Sequence, residues 1–158
     1  GPYQFPEKLI PKMISNIFSN KELPIYAKGK NSREWIHVHD HCEALFRLYL
    51  KGKLGESYNI GSGKNLRNID LVKKLLSMCK IINLKVGKKT KIKFVKDRPG
   101  HDFRYAINSN KIFKQLKWKA KIDINEGLTS TILWYLQNKE FLKRFSKKNY
   151  EKRLGLLT

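Results

Sequence analysis

The residues best suited to bind a charged ligand lie together in one short segment, Asp97-Arg98-Pro99-Gly100-His101-Asp102. Arg98 carries a planar guanidinium that can bind two phosphate oxygens at once, and His101 adds a second donor. The Pro-Gly pair predicts a tight turn that would hold these two side chains near each other. A solvated turn with an Arg–Asp ion pair is an equally good interpretation, and such pairs contribute little stability.

Other polar and aromatic residues near predicted loops have two interpretations each. Arg33 stands between a predicted turn and Trp35, where it could bind phosphate or could be an exposed charge at a strand edge. Tyr3, Tyr26 and Trp35 could stack on a base, but aromatic side chains are more often found in the core. Asn68, taken alone, is best interpreted as a helix cap.

Two further motifs do not meet the requirements of the sites that they suggest. Gly61-Ser62-Gly63-Lys64 has Tyr58 where a Walker phosphate loop needs glycine and Asn65 where it needs Ser or Thr, so we predict a glycine turn. In His37-Val38-His39-Asp40-His41, His37 and His39 would share a face if residues 37–39 formed a strand. A structural zinc site needs four ligands and neither cysteine has metal-ligand spacing, so we expect no metal.

Groups that would carry out catalysis are not evident from the residues alone. The sequence has no paired acid and base, no nucleophile beside a base, no Tyr-x-x-x-Lys and no Gly-x-x-Gly-x-x-Gly loop. We therefore predict a binding domain with no catalytic residue of its own.

The composition is strongly basic, with a net charge of +21 over 158 residues. Such a charge raises the possibility of a polyanion partner. However, 27 lysines outnumber 7 arginines and are spread along the whole chain, whereas residues that bind phosphate and bases are enriched in arginine. Specific nucleic-acid binding is therefore not expected. No long apolar run predicts a membrane span, and two unpatterned cysteines suit a reducing cytoplasm.

The hydrophobic pattern predicts an α/β chain with four or five helices and several short strands. Helices are predicted from Pro6, from caps at Asp40, Asn68 and Ser109, and from about residue 125 to 145. Strands are predicted at 23–26, 33–38, 56–60 and 92–95. These strands are few for a full sheet, so we expect a part of a larger structure.

Several segments match one family in order and spacing: Gly1-Pro2-Tyr3-Gln4-Phe5-Pro6-Glu7-Lys8-Leu9-Ile10-Pro11 and residues 23–26, 33–41, 55–61, 68–70, 97–102, 104–107, 134–136 and 153–156. Together, over nearly the whole chain, they resemble the dTDP-glucose 4,6-dehydratase family of the extended short-chain dehydrogenase/reductases. The most specific of them is the segment 97–102.

The resemblance implies that residues 1–158 are a carboxy-terminal substrate-binding domain lacking most of the Rossmann domain. Its short strands would complete that amino-terminal domain, which would bind NAD, carry the catalytic groups and form the homodimer. The whole enzyme would oxidise glucose at C4, eliminate water across C5 and C6 and return the hydride to C6. The chain itself is then a cytoplasmic, non-catalytic fragment that binds a dTDP-sugar.

The resemblance also implies which residues of this chain bind the ligand. Arg33 and Arg98 would hold the diphosphate, with Asn68 and His101 close by. The residues implied to border the sugar nucleotide are Lys8, Leu9, Pro24, Ile25 and Tyr26. The chain departs from the family pattern in having Ala27 in place of a glycine, His37 and His39 in place of an aromatic and an acid, and an altered loop at 61–65.

Two alternatives to this function remain. One is a part of a related sugar-nucleotide epimerase or decarboxylase, which the segments 6–11 and 97–102 fit less well. The other is a basic polyanion-binding module, for which salt-sensitive and sequence-indifferent binding to duplex DNA would be diagnostic.

Overall fold

A computed structural model describes residues 1–145 of the chain. These residues form an α/β structure, as predicted. In chain order its elements are α1 (Leu9–Phe18), β1 (Leu23–Tyr26), β2 (Ser32–Glu34), α2 (Val38–Lys51), β3 (Asn65–Arg67), α3 (Asn68–Ile81), β4 (Ile92–Val95), α4 (Asn110–Leu116), α5 (Ile124–Gln137) and α6 (Lys139–Lys143). The polar tail from residue 146 and the family-like segment 153–156 lie outside the described residues.

The main core lies between α1, α3, α5 and strand β1. Apolar residues three and four apart give α1 one buried face, and the same spacing buries one face of α3 and of α5. The largest fully buried side chains of this core include Met13, Ile14, Leu23, Leu71, Leu75, Leu128, Ile132 and Tyr135. A second, smaller core contains Ala44, Ile112 and Trp118, where α2 meets α4.

Two small sheets bring distant parts of the chain together. β1 and β4 pair in parallel, with Leu23 opposite Ile92 and Tyr26 opposite Val95. The carboxyl ends of both strands therefore lie at one edge, and the loops that follow them meet there. β2 and β3 pair in antiparallel fashion, with Ser32 opposite Arg67.

The start of α2 differs from the prediction. The strand predicted at 33–38 ends at Glu34, and α2 begins at Val38. The cap is His37, whose Nδ1 accepts a hydrogen bond from the backbone N–H of His39 at 3.3 Å. Asp40 is not the cap, because its buried carboxylate accepts the backbone N–H groups of Lys121 and Ile122 at 3.1 and 2.9 Å.

Three other predicted helix boundaries are also corrected. Asn68 is the first residue of α3, and the capping position belongs to Arg67. Ser109 precedes α4 but makes no side-chain capping bond; instead Oδ1 of Asn108 accepts the backbone N–H of Asn110 at 2.9 Å. The single helix predicted for 125–145 is divided at Asn138, whose backbone leaves the helical region and whose side-chain amide donates to Trp134 O.

The strand predicted at 56–60 does not form. These residues have no regular secondary structure, and the N–H groups of 57–60 make no backbone hydrogen bond within residues 1–145. The segment is held through side chains instead, since the Tyr58 hydroxyl donates to Gln115 Oε1 at 2.7 Å and Lys111 Nζ donates to Ser57 O at 2.7 Å. A strand needs a partner strand, and the described residues do not supply one here.

Helix α2 also presents an apolar stripe to solvent. We define the α2 stripe as Leu45, Phe46, Tyr49, Leu50 and Leu54, which are between 50% and 101% exposed. Phe46, Tyr49 and Leu50 lie on the side of α2 opposite Ala44 and Leu48, which pack in the second core. Leu45 flanks them, and Leu54 follows the end of the helix. No helix within residues 1–145 is long and apolar enough to cross a membrane.

Candidate functional site

A cavity of about 300 Å³ opens beside the carboxyl ends of the parallel strands. It gathers all nine predicted binding residues, which come from five separate stretches of the sequence: Lys8 and Leu9, Pro24 to Tyr26, Arg33, Asn68, and Arg98 with His101. The remaining lining residues are Glu7, Lys12, Met13, Trp35 and Val95. Side chains that are up to 94 positions apart in sequence, from Glu7 to His101, thus surround one space.

The parallel pairing explains how two of these stretches meet. β1 ends at Tyr26 and β4 at Val95, directly opposite each other, and the backbone N–H of Ala27 continues the pairing to Val95 O at 2.7 Å. The loop 97–102 follows β4 and turns at Gly100, whose φ of +63 lies in the left-handed region that glycine tolerates. That turn brings His101 back beside Tyr26, with ring centroids 5.7 Å apart and planes at 78°.

Arg33 is tied to the end of the same loop. Its guanidinium donates from Nη1 to Ser32 O at 2.7 Å and from Nη2 to Asp102 O at 2.8 Å. It also lies 4.6 Å from the ring centroid of Tyr105, within the range of a cation–π contact. The hydroxyl of Tyr105 in turn donates to the Asp102 carboxylate. These contacts fix the guanidinium in the cavity wall before any ligand arrives.

The cavity is strongly cationic. Lys8, Lys12, Arg33 and Arg98 line it, while the lining carboxylate is Glu7, which pairs with Lys8 at 3.2 Å. Tyr26 adds a neutral donor, because burial raises the pKa of its phenol even though Arg98 acts in the opposite direction. An anion of two or more charges that also carries polar, uncharged groups matches this lining.

Three polar atoms on the cavity side chains are buried with no hydrogen-bond partner among residues 1–145. They are Oε2 of Glu7, Nε1 of Trp35 and Oδ1 of Asn68. A buried polar group without a partner costs roughly 1–3 kcal/mol, so a cluster of three around one cavity suggests a site that is completed by a ligand or by water.

The sequence reasoning missed part of this lining for identifiable reasons. The pattern predicts a helix from Pro6, whereas α1 begins at Leu9 and leaves Glu7 in the turn before it. The prediction that Trp35 is a core residue is partly correct, since Trp35 also packs against the main core. Lys12 and Met13 lie one helical turn beyond Lys8 and Leu9, and this spacing of four residues was the available signal. Val95 was identified only as a strand residue.

The histidine cluster is part of the fold near α2. His37 caps the helix, and its ring meets that of His39 edge-on with centroids 4.9 Å apart. The strand geometry considered for a metal site is therefore absent at these residues. In the part of the chain that the structure describes, no three His, Cys, Asp or Glu side chains converge as metal ligands.

Comparison with known proteins identifies the family of the chain. A family model described as GDP-mannose 4,6 dehydratase matches residues 1–131. The chain belongs to this family. Within the family, it is 43% identical over 166 residues to a dTDP-glucose 4,6-dehydratase of Escherichia coli. That alignment covers 99% of this chain but 45% of the relative, so the chain spans less than half of the relative's length.

Solved structures give the same result. A dTDP-glucose 4,6-dehydratase from Bacillus anthracis, in complex with NAD, superposes with a TM-score of 0.81 at 42% identity, over 91% of this chain and 44% of that one. The dTDP-glucose 4,6-dehydratase DesIV from Streptomyces venezuelae, with NAD and TYD bound, gives a TM-score of 0.81 at 37% identity, over 89% of this chain and 42% of that one. The predicted resemblance is thus confirmed.

Proposed function

We propose that this chain forms the nucleotide-sugar-binding part of a dTDP-glucose 4,6-dehydratase, a lyase that converts dTDP-glucose into dTDP-4-keto-6-deoxyglucose and water. The observation that carries the proposal is the single cavity lined by all nine residues that the family resemblance indicated. A basic polyanion-binding module would not require these residues to converge. The identity of 43% to a dTDP-glucose 4,6-dehydratase of Escherichia coli also supports this function.

In this proposal the cationic side chains hold the diphosphate. Arg98 and Arg33 provide planar guanidinium groups, which match phosphate oxygens in a two-bond geometry. Lys8 and Lys12 add charge along the first helix. Pro24, Ile25 and Tyr26 border the nucleoside, and Asn68 and Leu9 contact the ligand between these two regions. A fixed arginine at the diphosphate lowers the cost of ordering the complex.

NAD would be held by the remainder of the enzyme. Its pyrophosphate typically binds at a glycine-rich turn between a strand and a helix, and the described residues offer no such turn. Since the chain corresponds to less than half of its relatives, we assign NAD, the catalytic groups and the homodimer contact to an amino-terminal Rossmann domain. The chain alone is then not expected to turn over dTDP-glucose.

The place where this Rossmann domain would pack is indicated by two open features. Residues 57–60 have backbone N–H groups that find no backbone acceptor within residues 1–145 and that could complete a neighbouring sheet. The α2 stripe exposes five large apolar side chains, which a second domain would cover. Cys42 and Cys79 are both free, which is compatible with the reducing cytoplasm that we assign to the enzyme.

The test is calorimetric titration of the 158-residue chain with dTDP-glucose and with dTDP, beside the variant Arg98→Ala. We expect saturable binding that Arg98→Ala weakens roughly 10-fold or more, because a charged hydrogen bond contributes about 1.5–3 kcal/mol. Arg144→Ala is the matched control: it removes the same charge from an exposed position outside the cavity, and it should leave binding unchanged.

The result that would contradict the proposal is absence of binding to either nucleotide. Tight binding to duplex DNA, with an affinity that falls steeply as the salt concentration rises, would then favour the polyanion-binding module. Equal weakening by Arg98→Ala and Arg144→Ala would show that only the total charge matters, and not the cavity.

A further inference from the structure

One carboxylate oxygen organises the loop 97–102. Oδ1 of Asp97 accepts the backbone N–H of Arg98 at 2.9 Å and also pairs with Nδ1 of His101 at 2.6 Å. Arg98 and His101 both line the cavity, whereas Asp97 does not. Asp97, which does not line the cavity, therefore contacts the backbone of Arg98 and the ring of His101, two residues that do line it.

This contact determines which nitrogen of His101 carries the proton in the neutral ring. The Asp97 carboxylate is ionised at neutral pH, as an ordinary Asp is, and so can only accept. Its hydrogen bond with His101 lowers the pKa of Asp97 further. Nδ1 must then be the donor, and Nε2 is left with a lone pair. The side chain of His101 is only 6% exposed and lies edge-on to Tyr26, so the ring has little freedom to turn.

We propose that Asp97 is a positioning residue of the binding site: it fixes the Nδ1–H tautomer of His101, so that Nε2 accepts a hydrogen bond from a ligand hydroxyl while Arg98 takes the phosphate. This inference rests on the proposed function. An unprotonated Nε2 is repelled by phosphate oxygens but suits the hydroxyl groups of a sugar or deoxyribose. The loop thus recognises a phosphate ester together with the hydroxyl-bearing group attached to it.

The tautomer can be measured directly in the full chain. Two-bond ¹H–¹⁵N spectra of the histidine rings, recorded at pH 8 without ligand, should show His101 as the Nδ1–H form. Asp97→Ala should shift it towards the Nε2–H form that free imidazole prefers. Asp97→Asn keeps an acceptor oxygen and should restore part of the Nδ1–H population. Glu56→Gln is the control, since it removes another carboxylate with a short ion pair, to Lys111, outside the cavity.

Binding at the same pH tests the role towards the ligand. Asp97→Ala and His101→Ala should each weaken dTDP-glucose roughly 10-fold, and the double variant should bind little more weakly than either, because both changes remove one coupled contact. Pyrophosphate has no hydroxyl, so its weaker binding should change far less. Circular dichroism and thermal midpoints close to those of the wild type would establish that the variants fold.

The two levels of the proposal fail in different ways. If wild type binds neither dTDP nor dTDP-glucose, the proposed function and with it the ligand role of Asp97 are overturned. If wild type binds but Asp97→Ala leaves both affinity and tautomer unchanged, this inference alone is overturned. Additive losses in the double variant, or an equal loss for pyrophosphate, would also overturn it.

Discussion

Ala27, at the end of β1 beside the cavity, has a backbone conformation that suits glycine better than alanine. Its φ of +47 lies in the left-handed region, and its N–H extends the β1–β4 pairing to Val95 O. A residue with a Cβ atom is strained there by roughly 1–2 kcal/mol, whereas glycine is not. The family resemblance implies glycine at this position, and the backbone conformation gives a physical reason why glycine would suit it.

We therefore predict that Ala27→Gly does not destabilise the chain and stabilises it by up to about 1 kcal/mol. The relief of strain exceeds the added chain entropy of glycine, which is roughly 0.5–1 kcal/mol. Urea denaturation at equilibrium measures the difference. The control is Ala106→Gly, at an exposed residue without positive φ, which should lose stability. Equal losses in both variants would contradict the strain argument.

For single residues, the sequence predicted which charged side chains line the cavity better than it predicted which polar atoms become buried. Arg33 and Arg98 could be singled out because the planar guanidinium group matches the geometry of phosphate oxygens. The contribution of Glu7 and Trp35 could not be predicted, because it depends on a carboxylate oxygen and an indole N–H that become buried without partners only when the chain folds. Residue type alone does not specify such an environment.

The hydrophobic pattern predicted a strand correctly where the partner strand lies within the described residues. The strands at 23–26 and 92–95 form as predicted, because each finds the other. The strand at 56–60 does not form, although its alternation is equally clear, because hydrogen bonding depends on a neighbour that the pattern does not describe. The start of α2 was misplaced for a similar reason, since distant backbone N–H groups occupy the carboxylate of Asp40.

Asp40 consequently has a structural role between elements. It is 3% exposed and joins the first turn of α2 to the backbone just before α5. We predict that Asp40→Ala lowers the free energy of unfolding by roughly 2 kcal/mol or more, because two backbone N–H groups lose their acceptor. Asp40→Asn, which keeps one acceptor oxygen, should lose less.

Chemical denaturation of both variants provides the measurement. Asp70→Ala is a useful comparison, because Asp70 also lies in the first turn of a helix but is paired with Arg67 at the surface. Asp70→Ala should lower the free energy of unfolding by well under 1 kcal/mol, as is typical when an exposed ion pair is removed. A similar cost for Asp40 and Asp70 would refute the bridging role.

For the whole molecule, the exposed apolar surface is as informative as the net charge. A charge of +21 favours separation of chains, yet the α2 stripe provides an apolar surface for association, and the N–H groups of 57–60 find no backbone acceptor within residues 1–145. The net charge follows from the composition, whereas the exposed clustering of the α2 stripe is seen only in the folded structure.

We predict that the 158-residue chain self-associates at moderate salt and that Phe46→Lys combined with Leu50→Lys shifts it towards monomer. Binding of dTDP-glucose should be unaffected, since neither residue lines the cavity. Sedimentation velocity measures the shift. Ile81→Lys is the control, because it replaces an exposed apolar residue, 66% exposed, that lies outside the stripe. A monomeric wild type with a sharp thermal transition would contradict this prediction.

The parallel pairing of β1 with β4 also has a consequence for the order of folding. Leu23 and Ile92 must come together although residues 24–91 separate them in sequence. This intervening segment contains α2 and α3. Contacts of such long sequence separation close slowly, because a large loop loses its freedom before it gains any interaction. Helices α2 and α3 can therefore form early, while the cavity appears only when β4 docks. Recovery of nucleotide binding during refolding should follow helix formation with a measurable delay, so that the ligand reports on the final step of folding.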